Sequence, residues 1–288
     1  MAFEFPDPEA SAFYQRALSA LTLADVPFLV GGGYAFERYT GIERPKKDLD
    51  LYVRERDLAR ALEALEPVST RTELTFPHWL GKAFDGEHFI DLIHNSGNGV
   101  APVDDDWFSY AIEGTMLDQR VWLTPREEMI WSKAFVMERE RCDAADVLHL
   151  LRGSEQLDWQ RLVRRFGAHH RVLYAHLVLF GFVYPSERTR IPDDVLDQLA
   201  AAVREEQQQS EEGKVCQGTL LSREQYLVDV TQWGFEDARL SDNVHMTEEQ
   251  IAQWTRAIAQ ETKSDDGLEP KHSNRSAGGP ALPGRLAG

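Results

Sequence analysis

Residues 28–53 read FLVGGGYAFERYTGIERPKKDLDLYV, and this stretch decides the fold of the chain. The apolar run Phe28-Leu29-Val30 predicts a short buried strand that leads into three glycines, Gly31, Gly32 and Gly33. Residues 34–39 predict a short helix, followed by a polar loop and a second strand. A glycine turn between a strand and a helix is a place where backbone N–H groups can bind phosphate. The same glycines could serve only as a flexible turn with positive φ.

Two carboxylates flank Leu49 in the second predicted strand, which spans residues 49–53. Side chains two residues apart in a strand point to the same face, so Asp48 and Asp50 should lie together while Leu49 and Leu51 face the core. Two like charges side by side repel each other, and a hard cation that prefers oxygen ligands, above all Mg²⁺, relieves that repulsion. A solvated strand face would give the same pattern, so the pair indicates a metal site only together with the glycine turn.

A third carboxylate, Asp91, lies in an otherwise apolar strand predicted for residues 88–93. A charged residue in such a strand is rarely buried unless it is paired or bound to a metal. Residues 68–75 predict a further strand, and residues 121–123 predict a late edge strand. We interpret Asp91 as the third member of the acidic site.

The periodicity of the chain changes near Leu123. Before it, strands alternate with helices, beginning with an amphipathic helix that contains Phe13 and Leu21. After it, helices are predicted over residues 126–139, 144–151, 159–166, 172–182 and 194–208, and a capping box at residues 247–250 starts a last helix that ends near Ala259. Beyond that helix, Gly, Pro, Ser and charged residues predominate, which is typical of a disordered tail. We predict an α/β domain in residues 1–123, a helical domain in residues 124–262 and a tail in residues 263–288.

The composition narrows the range of partners. The 288 residues carry a formal net charge of −17, which argues against broad non-specific binding to nucleic acid or to an anionic membrane. The two cysteines, Cys142 and Cys216, fit neither a disulfide framework nor a zinc spacing. The N-terminus has no signal-peptide pattern, and the longest apolar stretch, residues 172–183, is too short to span a bilayer. We therefore expect a cytoplasmic protein with no membrane partner.

Residues 31–53 resemble the glycine motif and the Asp-x-Asp motif of the DNA polymerase β nucleotidyltransferase superfamily. The resemblance implies an α+β fold with a small mixed sheet flanked by helices, here followed by a mostly helical region. It implies that Asp48, Asp50 and Asp91 hold two Mg²⁺ ions, with Asp91 as the base nearest the attacking hydroxyl. It places the nucleotide against Gly31, Gly32, Gly33 and Arg44. Two positions depart from the pattern: Gly33 stands where Ser or Thr is usual, and Lys46 stands where related chains often have Thr.

A narrower resemblance is to abortive-infection toxin nucleotidyltransferases of the AbiEii type and to related uncharacterised enzymes. In these chains the core is followed by a helix that bears Lys and Arg, and then by an Asp-x-x-Asp pair. The matching residues are Lys133 and Arg139 in the helix predicted for residues 126–139, followed by Asp143 and Asp146. Lys133 could reach triphosphate oxygens as a point charge, and the other three are candidate accessory residues. Asp143 could equally cap the next helix, with Asp146 in its first turn.

Together these features predict an enzyme that uses Mg²⁺ to transfer a nucleoside monophosphate from an NTP such as ATP to an acceptor, with pyrophosphate leaving. RNA, a protein and a small molecule all stay open as the acceptor, and the oligomeric state is not indicated. The narrower resemblance adds a toxin role with an antitoxin partner. The alternative is a non-catalytic module that keeps the fold to bind nucleotide. The presence of both Asp48 and Asp50 favours the enzyme.

Overall fold

The computed structural model describes residues 7–153, 156–208 and 213–265, with side chains described as far as residue 258 in the last range. The strands are β1 (Leu29–Val30), β2 (Leu49–Tyr52), β3 (Arg71–Phe76), β4 (Leu80–Asp85), β5 (His88–Ile93), β6 (Ile112–Met116), β7 (Gln119–Leu123), β8 (Val215–Cys216) and β9 (Glu236–Asp237). The α-helices are α1 (Pro8–Leu23), α2 (Gly32–Thr40), α3 (Glu55–Leu65), α4 (Asp105–Ser109), α5 (Arg126–Ala134), α6 (Ala144–Arg152), α7 (Trp159–Phe166), α8 (His170–Val183), α9 (Asp193–Glu206), α10 (Leu227–Thr231) and α11 (Glu248–Asp265). The chain divides into two units, Met1–Thr255 and Arg256–Gly288, and the second begins within α11.

Seven strands form one mixed sheet in the order β3-β4-β5-β2-β1-β7-β6. The central strand β2 pairs in parallel with β5 and antiparallel with β1, and β1 pairs in parallel with β7. The register of β2 and β5 sets Asp50 directly beside Asp91. Helices flank this sheet, and the region after β7 is mostly helical. The predicted fold class is therefore confirmed.

The core determines which way β2 faces. Leu49 and Leu51 are fully buried in a cluster that also contains Phe13 and Leu18 of α1 and Leu65 of α3. Burying a leucine side chain stabilises the fold by about 1.5–3 kcal/mol, and slipping the strand by one residue would expose both leucines. The core thus holds the acidic residues of β2 on the opposite side of the strand. A second cluster contains buried side chains of α2, α5, α6, α7, α8 and α9.

Part of the sheet differs from the predictions. The predicted strand at residues 68–75 begins only at Arg71, because Glu66–Val68 form a 3₁₀ turn around Pro67. The sequence patterns do not predict β4 or β6, since each contains a glycine and charged or polar residues, which disfavour a strand locally. Both strands form because a neighbouring strand pairs with them, β4 with β3 and β5, and β6 with β7.

The helix predicted for residues 126–139 is also too long, since α5 ends at Ala134. Phe135 then packs into the core with 3% of its surface exposed, and the backbone turns so that Met137 pairs with Cys142. This turn brings Arg141 and Asp143 back towards α5. The shortened helix therefore changes which charged residues lie beside Lys133.

The remaining helices follow the sequence patterns closely. The capping box forms as predicted, with Thr247 N donating to Gln250 Oε1 at 2.9 Å and Gln250 N to Thr247 Oγ1 at 3.2 Å. The last helix runs to Asp265, beyond Ala259, and residues 266–288 of the predicted tail lie outside the described residues. The division into domains near Leu123 stays a prediction. Within the described residues, no helix has the length and apolar character needed to cross a membrane.

Candidate active site

Three carboxylates converge at the centre of the sheet. Asp48 immediately precedes β2, Asp50 lies within it, and Asp91 lies at the matching position of β5. Each offers an oxygen, and these oxygens all lie within 4.8 Å of one another. The three side chains are half-buried, so an ion from solvent could reach them. The structure brings together the three residues that the sequence predicts as the metal site.

The glycine turn lies directly against this acidic site. Gly31 N donates a hydrogen bond to the Asp50 carbonyl at 3.0 Å, which ties the turn to β2. Gly32 has φ of +53°, and a Cβ atom added there would lie 2.5 Å from Asp50 Cγ and closer still to Oδ2. No side chain can occupy that space while Asp50 keeps its place. Glycine at position 32 therefore both permits the turn and makes room for the Asp50 carboxylate.

The carboxylates raise one another's proton affinity. Burial raises the pKa of Asp50 to about 7, and the nearby charges of Asp48 and Asp91 add to this rise, while Lys133 and Arg141 oppose it. Burial likewise raises the pKa of Asp48 and of Asp91, against the opposing effect of Lys82. Clustered acids with perturbed pKa values are typical of functional sites. The site therefore favours a cation that can stabilise three negative charges.

Lys82 is a member of the site that the sequence patterns miss. Its Nζ donates to Asp91 Oδ1 at 2.6 Å from the neighbouring strand β4, where Lys82 is paired in register with Asp91. The ammonium also lies 4.4 Å from the centre of the Phe89 ring. A lysine in a short strand predicted by no local pattern could not be assigned to this site before the pairing of β4 with β5 was known.

Two tyrosines also border the acidic residues. Burial raises the pKa of Tyr14 to about 12, with Asp48 as the next cause. The pKa of Tyr34 is raised by burial and then by Tyr14, Asp48 and Asp50. Tyr14 lies on α1 and Tyr34 on the first turn of α2, so both stay protonated hydroxyl groups at neutral pH beside the carboxylates. In the sequence each belongs to an apolar helical stripe and gives no signal of its own.

A second charged group, made of Arg44, Lys133, Arg141, Asp143 and Asp146, links the loop before β2 to α5 and α6. Lys133 Nζ donates to Asp143 Oδ2 at 2.7 Å and to Asp146 Oδ2 at 2.9 Å. Arg44 Nη1 donates to Asp146 Oδ1 at 2.6 Å, and Arg141 donates to both oxygens of Asp143 at 3.0 and 2.9 Å. The structure thus gathers four predicted site residues and adds Arg141.

The roles of the Asp-x-x-Asp residues become more specific in this group. Asp143 occupies the N-cap position of α6, but its side chain makes no capping hydrogen bond and pairs with Lys133 and Arg141 instead. Burial acts to raise the pKa of Asp143, yet the hydrogen bond from Arg141 and the charge of Lys133 lower it to about 2. Arg139 is exposed in the loop after α5, and the structure does not bring it into the group. Among the ion pairs of the described residues, the arginine that pairs with Asp143 is Arg141 and not Arg139.

The acidic site fits a hard divalent cation. It offers only oxygen donors, which Mg²⁺ prefers, and the oxygens converge from two strands whose register is fixed by the core. Among the residues that the structure describes, Asp91 has a salt bridge to Lys82, whereas no basic side chain forms one with Asp48 or Asp50. An ion held by Asp48, Asp50 and Asp91 would compensate those two charges. We therefore identify these three residues as the candidate metal ligands.

Comparisons with known proteins give only distant similarities. No family model and no curated protein matches the sequence. The lincosamide antibiotic adenylyltransferase LnuA, with lincomycin bound, is 15% identical with a TM-score of 0.35, and the match covers 50% of this chain and 96% of that one. ANT(2'')-Ia in complex with adenylyl-2''-tobramycin is 16% identical with a TM-score of 0.34, covering 69% of this chain and 99% of that one. An antigenic nucleotidyltransferase-like protein from Paracoccidioides brasiliensis is 15% identical with a TM-score of 0.38, covering 62% and 91%.

Similarities at this level establish neither the family nor the substrate of this chain. No abortive-infection toxin is named among these three structures, and the AbiEii-type resemblance stays a prediction.

Proposed function

We propose that this protein is a nucleotidyltransferase that uses Mg²⁺ to transfer a nucleoside monophosphate from an NTP to an acceptor, with release of pyrophosphate. One observation carries the proposal: three carboxylates from two adjacent strands meet at a positive-φ glycine that opens a helix. An acidic site alone could bind many cations. The adjoining glycine turn adds a surface on which a phosphate can approach the backbone, and the pair of features suits a metal-bound triphosphate.

Each part of the site has a role in this reaction. Asp48, Asp50 and Asp91 would hold two Mg²⁺ ions, which lower the pKa of the attacking group and stabilise charge on the leaving oxygens. The Gly31–Gly33 turn binds the phosphate chain. Asp91 is the base nearest the acceptor hydroxyl, as the superfamily resemblance implies, and Lys82 holds its carboxylate in place through Oδ1. These residues position the reactants and supply charge, which is most of what phosphoryl transfer requires of a protein.

The charged group around Lys133 would bind the donor at a second point. Lys133 and Arg141 both lower the pKa of Asp50, so their positive charge is felt at the acidic site. Arg44 joins them through Asp146. We propose that Lys133 contacts the triphosphate, as the narrower resemblance implies, and that Asp143 and Asp146 position the Lys133 side chain.

The test is transfer of label from α-³²P-NTPs. Each of the four NTPs is incubated with Mg²⁺ and with tRNA, protein, lincomycin or tobramycin as the acceptor, and products are resolved by gel or thin-layer chromatography. We expect one acceptor class to gain label with the wild-type protein and none to gain it with Asp50→Asn. Asp118→Asn is the matched control, since Asp118 is an exposed aspartate in the β6–β7 turn.

The outcomes separate the enzyme from the binding module. Label transfer that Asp50→Asn retains at wild-type rate would show that the acidic site is not catalytic. Binding of NTP and Mg²⁺ without transfer to any acceptor would support the nucleotide-binding module. The toxin role and the antitoxin partner are separate predictions, and a neighbouring gene for a small antitoxin would support them.

A further inference from the structure

The side chain of Lys46 lies on the glycine turn. A Cβ atom added at Gly33 would lie 3.3 Å from Lys46 Cγ and 3.8 Å from both Cδ and Cε. The aliphatic stem of Lys46 therefore runs across the first turn of α2, in close contact with the position that a Cβ at residue 33 would take. The φ angle of Gly33 is not positive, so the backbone conformation does not favour glycine at this position. The close approach of the Lys46 side chain does.

The ammonium group of Lys46 is held at the same end of α2. It forms a salt bridge with Glu37, one helical turn beyond Gly33, and lies 4.9 Å from the centre of the Tyr34 ring. The side chains of Lys46 and Glu37 are only 14% and 12% exposed. Lys46 is thus a well-positioned cation whose stem lies on the first turn of α2 and whose ammonium lies between Tyr34 and Glu37 on the same helix.

Asp50 and Lys46 lie against successive residues of this turn. The Asp50 carboxylate packs on Gly32, and the Lys46 stem packs on Gly33. A phosphate chain whose metal is held by Asp50 would cross the first backbone amides of α2 and meet the Lys46 ammonium next. An ammonium has three donors, so it can bind a phosphate oxygen while it keeps, or after it exchanges, the bond to Glu37.

We propose that Lys46 binds the phosphate chain of the donor nucleotide and that glycine at position 33 lets its side chain lie closely against the turn. This inference rests on the proposed function, since it concerns the same site. A lysine that serves only to pair with Glu37 is the competing interpretation.

Calorimetric titration of the full chain with Mg²⁺ and NTP, without acceptor, tests the proposal. The NTP that binds the wild type best is compared with the corresponding NMP. We expect Lys46→Met, which keeps the stem, to weaken NTP binding by about tenfold or more and NMP binding much less, because a charge-assisted contact to phosphate is lost. Lys214→Met is the matched control and should bind as the wild type does, since Lys214 is an exposed lysine whose Nζ donates to the Trp233 carbonyl.

Glu37→Gln distinguishes the two interpretations by sign. If Lys46 binds phosphate, loss of the competing carboxylate makes NTP, relative to NMP, bind more tightly than it does to the wild type. If the pair is only structural, both Glu37→Gln and Lys46→Met lower the melting temperature and leave the ratio of NTP to NMP affinity unchanged. That second result would overturn the proposal.

A double-mutant cycle tests the role of Gly33. Gly33→Ser should weaken NTP binding in the wild-type background, because the Lys46 stem must shift to make room for the new side chain. In a Lys46→Thr background it should cause no further loss, since the shorter side chain leaves the space free. Additive effects would show that Gly33 does not act through Lys46. Failure of the wild type to bind any NTP would instead count against the proposed function itself.

Discussion

Gly32→Ala perturbs the contact between the glycine turn and the acidic site. The new Cβ would lie 2.5 Å from Asp50 Cγ, whereas Cβ contacts under 3.0 Å are essentially never seen, so the carboxylate carbon must move by at least 0.5 Å. Metal–ligand distances tolerate only about 0.2 Å. We therefore expect Gly32→Ala to abolish the stabilisation that Mg²⁺ and NTP together confer on the wild type.

Gly41→Ala provides a control for the backbone cost. Gly41 ends α2 with φ of +70° and has no atom within 4 Å of the added Cβ, whereas Gly32 has φ of +53° and meets Asp50. Alanine in the left-handed region costs about 1–2 kcal/mol at either position. Overpacking against Asp50 should add about 1–3 kcal/mol to the loss of unfolding free energy for Gly32→Ala alone.

The measurements are urea unfolding of the metal-free proteins and thermal unfolding with Mg²⁺ and NTP. In an Asp50→Ala background the two atoms nearest the new Cβ are gone and only the Cβ of residue 50, at 2.9 Å, still meets it, so Gly32→Ala should lose most of its extra cost over Gly41→Ala. Equal losses for the two glycine variants in the wild-type background, with ligand stabilisation retained by both, would refute the assigned contact.

Three further predictions concern the charged residues. The folded protein raises the pKa of Asp50 from 3.8 to about 7, so the stability that this group contributes is full below about pH 4 and is lost as the pH rises through about 7. The metal-free wild type should therefore lose more unfolding free energy over this range than Asp50→Asn does. Urea unfolding measured across the pH range would contradict this if the two proteins gave equal curves. Mg²⁺ and NTP together should raise the melting temperature more than either alone, since the ion joins the carboxylates to the phosphates. Calorimetry that showed equal nucleotide affinity with and without Mg²⁺ would count against this prediction. Lys133→Met should lower the unfolding free energy by about 1–3 kcal/mol, because Asp143 and Asp146 lose a shared hydrogen-bond donor. The same variant should weaken NTP binding about tenfold to hundredfold. Kinetics within about twofold of wild type would remove Lys133 from the proposed site.

The elements that were predicted well are those with strong local periodicity. The helices after Pro125, the capping box at Thr247 and the strand around Leu49 each depend on residues within a few positions of one another. The elements that were missed, β4 and β6, contain glycine and polar residues and form because an adjacent strand pairs with them. The end of α5 was misplaced because burial of Phe135 and the return of the chain at Met137 override a continuing helical pattern.

The sequence by itself determined that Asp48 and Asp50 share one side of a strand next to a glycine turn. That result needs only the two-residue period of a strand and two buried leucines, both of which are local properties. The sequence also indicated Asp91 as the third acidic residue, because it is a single carboxylate in an otherwise apolar strand. Only the tertiary structure decided that Asp91 lies directly beside Asp50, through the register of β2 and β5. The tertiary structure alone added Lys82 through the pairing of β4 with β5, Arg141 through the turn after α5, and Lys46 through its contact at Gly33. Strand register and side-chain packing depend on the whole core, so no short stretch of sequence specifies these neighbours.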